Sequence, residues 1–365
     1  MFSEYVYYAG KVSPDKRENH PKIKLLPSLA IKEFKQAMHR KKYYRTALFG
    51  ILLLIAVLFL WREGPYVYHP ARTPLKGGAG AARVHGFFST RPTPNAIYYK
   101  NKVIVLMYHD VQPHPTDIKS LDTAVFRQQL DAMKANGFHW ITMEQYADFI
   151  RKRRPVPDNA VLLTFDDGYE TFYKHVFPIL QEYRAPATNF LIVATIGNAK
   201  HPGLPKLNWQ QVQEMHRKGI DFYSHTYDSH AYGYIRMFGK NKDRAEPMLM
   251  GPEDNKTLHH VETREEYTRR VTRDLDLSNR ILRAKIGNDR DILAFPYGGY
   301  SKPVIDICRK LGVQVTFSVK PGINGPGQYI GYRVNAGGMD NNPVTLLEYM
   351  KRGAPVKTPI KGYHL

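Results

Sequence analysis

The sequence predicts an α/β protein on a mostly parallel sheet, either open or closed into a barrel. Two observations carry that expectation. From Asn101 onward, short apolar runs alternate with stretches of helical periodicity: VIVLMY, HWIT, AVLLTF, ATNFLIV, IDFYSH, DILAFP, VQVTFSV and YIGYRV read as strands. The helices between them also have legible ends. Thr142 with Gln145, Asn208 with Gln211 and Thr263 with Glu266 have capping-box spacing, and Gly137, Gly219 and Gly312 fall where helices should stop.

In chain order, residues 1–45 are basic and contain one amphipathic piece, SLAIKEFKQAMHRK, suited to lie on an inner leaflet. Thr46 to Trp61 is an uncharged apolar run bounded by Arg45 and Arg62. It is slightly short of the about 20 residues of a spanning helix, and Tyr43, Tyr44 and Trp61 at its ends lengthen the effective span. Lys32, Lys35, Arg40, Lys41, Lys42 and Arg45 precede it, and WREGPYVY after it offers no small-residue cleavage site. The segment 46–62 is therefore expected to be an uncleaved transmembrane signal anchor, with the N-terminus cytoplasmic and the rest of the chain extracytoplasmic. Residues 63–100 carry Gly, Pro and Ala and read as a linker. The domain proper is expected over 101–350, with a tail at 351–365. Within it, 231–262 breaks the βα rhythm and reads as an insertion loop or lid.

Composition narrows the partners. Lys plus Arg number 53 against 33 Asp plus Glu, for a formal charge of +20. That balance suits an anionic surface: lipid head groups, an anionic wall polymer or nucleic acid. An extracytoplasmic domain removes nucleic acid from the expected partners. The single cysteine, Cys308, lies in an amphipathic helical pattern, so no intramolecular disulfide is possible.

The chemistry-bearing residues share a position. His109 follows VIVLMY, Asp166 and Asp167 follow VLLTF, His225 follows IDFYS, and Pro296 with Tyr297 follow ILAF. In a parallel sheet all strand C-termini gather at one rim, where α/β enzymes place their sites. Asp166 and Asp167 repel unless something shares their charge. His225 and His230, five apart in SHTYDSH, need a turn to face one ion. Two imidazoles and one carboxylate make a three-ligand site suited to Zn²⁺ or a similar ion, with open positions for water and substrate. One aspartate would then bind the cation and its neighbour would serve as a base.

TFDDG, SHTYDSH and FPYG, in that order, resemble the motifs of the NodB-like polysaccharide deacetylases, carbohydrate esterase family four. MYHDV ahead of them resembles the branch that deacetylates poly-β-1,6-N-acetylglucosamine. The resemblance spans about Lys102 to Val334 and implies a distorted (β/α) barrel. It implies Asp166 as catalytic base, and Asp167, His225 and His230 as ligands of Zn²⁺, with Co²⁺ or Ni²⁺ able to occupy the same ligands. It further implies His109 as general acid, and Tyr297 after Pro296 lining the groove with its N–H toward the oxyanion. Two departures stand out. Ala294 occupies the position of the arginine that usually orients the base, and no late Leu-x-His is present. Arg333, just before the end of the last predicted strand run, is a candidate for the missing positive charge beside Asp166.

The expected function is metal-dependent N-deacetylation of an N-acetylglucosamine polysaccharide, releasing acetate. Peptidoglycan is the alternative substrate, and a non-catalytic glycan-binding or export role the alternative class. A glycosidase is disfavoured, since its two carboxylates must lie about 5 to 9.5 Å apart across the bond.

Overall fold

A computed structural model describes residues 92–236, 243–338 and 341–353. The basic segment 1–45, the expected anchor 46–62, most of the linker and the tail beyond 353 lie outside the described residues. Among the described residues no helix is long and apolar enough to cross a membrane.

The strands β1 (Val103–Tyr108), β2 (His139–Trp140), β3 (Ala160–Asp166), β4 (Ala187–Leu191), β5 (Ile220–Ser224), β6 (Ile292–Ala294), β7 (Val315–Phe317), β8 (Ile330–Gly331) and β9 (Val334–Asn335) form one sheet. Every pairing in it is parallel. The hydrogen-bonded path runs β8-β7-β6-β5-β4-β3-β1-β9, with β2 on the lower half of β3. The expected single strand YIGYRV is in fact two. Ile330–Gly331 pairs with β7 and Val334–Asn335 pairs with β1, at opposite ends of the path. A sheet whose two ends meet one six-residue segment must curl, and the strong twist of parallel strands supplies that curl.

Period-two alternation sorts the side chains between the two faces. Val103, Val105, Leu162, Phe190, Ala294, Val315 and Phe317 pack on the concave side. Ile104, Leu106, Tyr108, Val161, Leu163 and Phe165 face the surrounding helices. The helices are α1 (Thr123–Ala135), α2 (Met143–Lys152), α3 (Phe177–Tyr183), α4 (Trp209–Arg217), α5 (Arg264–Ile286), α6 (Lys302–Lys310) and α7 (Pro343–Arg352). Complete capping boxes open α2, α4 and α5 at Thr142, Asn208 and Thr263. Gly137, Gly219 and Gly312 all take left-handed backbone just past helix ends.

Three boundaries differ from expectation. The last part of the supposed linker belongs to the domain: Tyr98 stacks on Phe138 at 5.2 Å, and the buried Tyr99 donates to the Ala160 carbonyl. At the other end, α7 continues through residue 352. The 231–262 segment is built rather than open. Tyr232–Arg236 pairs antiparallel with Asp243–Pro247, Ile235 and Leu249 are buried, and Arg270 of α5 donates to Glu262 and to the carbonyls of Met248 and Gly251. The apolar anchors here are spaced too widely for a sequence period to show them.

Gly137 shows how tightly the 92–100 segment sits. Its φ is +70°, and a Cβ there would meet the Pro94 carbonyl oxygen at 2.3 Å. Gly137→Ala should therefore destabilise the domain by about 1 to 3 kcal/mol, read as a lowered denaturant midpoint at unchanged slope.

Candidate active site

The ends of β1, β3, β5 and β6 lie at one rim, and each delivers a polar group there. Asp166 is the last residue of β3 and points to the concave side, whereas Asp167 turns away from it with φ +75°. Thr226 after β5 (φ +76°) and Tyr297 after β6 (φ +55°) are also left-handed. Such backbone is costly for residues other than glycine, for a β-branched one above all, and persists where the surroundings enforce it.

Asp166 is 2% exposed and Arg333 fully buried, and Arg333 Nη1 donates to Asp166 Oδ1 at 2.7 Å. Arg333 Nε donates to the Ser318 carbonyl, and the guanidinium lies over the Phe190 ring. Burial alone pushes the Asp166 carboxyl up, but Arg333 and the neighbouring imidazoles outweigh it and hold the group below the ordinary carboxylate value. Arg333 thus supplies, beside Asp166, the positive charge that Ala294 lacks. His109 Nε2 lies 3.9 Å from Asp166 Oδ2, the oxygen not bonded to Arg333.

Asp167 Oδ1 lies 3.2 Å from His230 Nε2 and 3.5 Å from His225 Nε2. Burial raises the Asp167 carboxyl, but His230 and the other imidazoles bring it well below its usual range. His225 Nδ1 is 2.8 Å from the Ala294 carbonyl oxygen. A carbonyl only accepts, so Nδ1 carries the proton and Nε2 turns a lone pair toward Asp167. Burial lowers the His225 pKa to about 4, so the ring is neutral at neutral pH. His225 Nε2 and Asp167 Oδ1 are thus two acceptors facing each other at 3.5 Å. A divalent cation fits this arrangement: one carboxylate and two imidazoles offer ligand atoms within 4.8 Å of one another. An acceptor carbonyl behind a ligating histidine is the usual way its ring is oriented.

Two positioning groups were not anticipated. Asp274 of α5 accepts from the backbone N–H groups of Tyr227 and Asp228, holding the loop that brings His225 and His230 together. It lies on the buried face of α5 with Val271, Leu275, Ser278 and Leu282, at helical spacing. A carboxylate inside that apolar stripe is the signal that could have found it. Asp110, also buried, accepts from Gln112, Ser120 and Thr171 and so fixes the backbone next to His109. Pro296 is buried, and Tyr297 packs its ring on His230 at 4.5 Å between centroids.

Over residues 153–316 the chain matches the family described as Polysaccharide deacetylase. A curated relative from Escherichia coli strain K12, named poly-beta-1,6-N-acetyl-D-glucosamine N-deacetylase, is 29% identical over 68% of this chain. The match takes in only 37% of that protein, so the chain spans little more than a third of its length. A relative of the same name from Staphylococcus epidermidis is 27% identical over 61% of this chain and 74% of its own length. Among solved structures, IcaB from Ammonifex degensii superposes with TM-score 0.57 at 26% identity, covering 69% of this chain and 97% of that one.

Arg333→Met should cost about 3 to 5 kcal/mol at pH 7, because it strands a buried carboxylate. Adding Asp166→Asn should recover much of that loss. Pairing lowers the folded pKa of Asp166, so its contribution is present above the unfolded value near 4 and is lost as pH falls through the folded one. The stability gap between wild type and Arg333→Met, measured by denaturant unfolding, should therefore narrow in acid.

Proposed function

We propose, on the premise that this chain carries a polysaccharide deacetylase domain, that it is a metal-dependent N-deacetylase. Its substrate in this reading is an N-acetylglucosamine polysaccharide, most specifically poly-β-1,6-N-acetylglucosamine. The observation that carries the reading is the Asp167, His225 and His230 cluster beside an Arg333-paired Asp166. The names of the relatives support the substrate.

Asp167, His225 and His230 would hold the ion. A divalent cation bound there, Zn²⁺ by the chemistry of the ligands and Co²⁺ or Ni²⁺ as substitutes, supplies Lewis acidity to the acetamide carbonyl and acidifies a bound water. Asp166, kept ionised by Arg333, accepts the proton of the attacking water at Oδ2. As oxygen adds to the acetamide carbon, negative charge builds on the carbonyl oxygen, and the Tyr297 N–H donates to it. Pro296 sets the backbone entering that turn. His109 Nε2 delivers a proton to the amine nitrogen as the C–N bond breaks, leaving acetate and a free amino sugar. Arg333 takes the base-orienting part that Ala294 cannot.

The same proposal puts the domain outside the cell, anchored through residues 46–62. That apolar run and the basic cluster before it support this topology.

Acetate release from poly-β-1,6-N-acetylglucosamine and from peptidoglycan is the test. Release from the former should vanish on chelation and return with Zn²⁺. Asp166→Asn and His109→Ala should each lower kcat by about 100-fold or more. Bound metal without acetate release from either polymer would reject the reading. Separately, His230→Ala should lose stoichiometric metal, measured by elemental analysis of the purified protein.

A further inference from the structure

A row of exposed aromatic rings leads away from the candidate site. Tyr297, Tyr232 and Tyr234 are 36%, 54% and 57% exposed. The first two are linked by direct contact: the Tyr232 and Tyr297 ring centroids are 4.3 Å apart, and Tyr297 lies in turn against His230. Tyr232 and Tyr234 are two residues apart on the strand Tyr232–Arg236, so they leave the same face roughly 7 Å apart. Ile235, on the opposite face, is fully buried and anchors the strand to the domain.

The chemistry of this row selects its occupant. It is continuous with the cluster that would hold the ion, and built from rings with an apolar face and a polar tip. A pyranose is complementary to such a ring. Its axial C–H groups present an apolar, weakly positive face to the negative face of the aromatic system, while its hydroxyls stay at the edge in water. Large apolar side chains left in a contiguous exposed row generally mark a contact surface. Lys256 Nζ, paired with Asp254 Oδ2 at 2.6 Å, lies 5.7 Å from the Tyr234 ring centroid at the end of the row.

We propose that Tyr232 and Tyr234 extend the site beyond Tyr297 as a stacking platform for the sugar units flanking the one being deacetylated. This rests on the N-deacetylase reading and adds to it a preference for long chains. Both side chains are more than half exposed, so substituting them removes little core packing.

Affinity electrophoresis of the full-length chain through gels containing soluble poly-β-1,6-N-acetylglucosamine reads binding whether or not the chain turns over. The double variant Tyr232→Ala with Tyr234→Ala should bind about tenfold more weakly than wild type. The double Phe variant, which keeps both rings, should bind within about twofold of wild type. Equal retardation of wild type and the double Ala variant would overturn the platform. So would a double Phe variant as weak as the Ala one. Acetate release by wild type from N-acetylglucosamine oligomers, measured in parallel, tests the underlying reading alone. Silence there rejects the deacetylase, whereas the retardation series decides the platform.

Discussion

Asp166 and Asp167 are adjacent, both nearly buried, and the rim of the sheet is arranged around their charge. Each carboxylate removed from water costs several kcal/mol, and two neighbours sharing one direction would repel as well. The backbone resolves this by geometry. Strand alternation sends Asp166 to the concave side, and the left-handed turn at Asp167 sends the next side chain over the rim. The first then meets a guanidinium and the second two imidazoles. One charge is matched within the chain; the other faces ligand atoms that call for a cation.

Each of these partners is itself held from behind. The Ala294 carbonyl orients His225, Asp274 fixes the loop between the two histidines, and Asp110 fixes the chain beside His109. Ala294 therefore contributes through its backbone where its side chain contributes nothing. Groups restrained this way need little reorganisation when charge develops, which is where enzymes gain most of their electrostatic advantage.

Much of this was legible in the sequence. Strand-end positions of His109, Asp166, His225 and Tyr297 follow from apolar runs that stop at polar residues, and period two is enough to read them. Arg333 is a candidate by nothing more than its place at the last run. The division of YIGYRV was not legible, since pairing with β7 or β1 depends on sheet curvature, a property of the whole sheet. Asp274 is not legible because a single carboxylate in a long charged helix resembles the surface residues around it. The order within 231–262 comes from long-range anchors such as Ile235 and Arg270, which carry no local period.

The segment 330–335 has a consequence outside the rim chemistry. A parallel sheet ordinarily ends in two strands with unpaired backbone groups, and such edges recruit strands from other chains. Here two-residue strands from one short segment occupy both ends of the hydrogen-bonded path. Among the described residues the sheet thus offers no long free edge, and its resistance to edge-to-edge aggregation depends on the same few residues that carry Arg333 to Asp166.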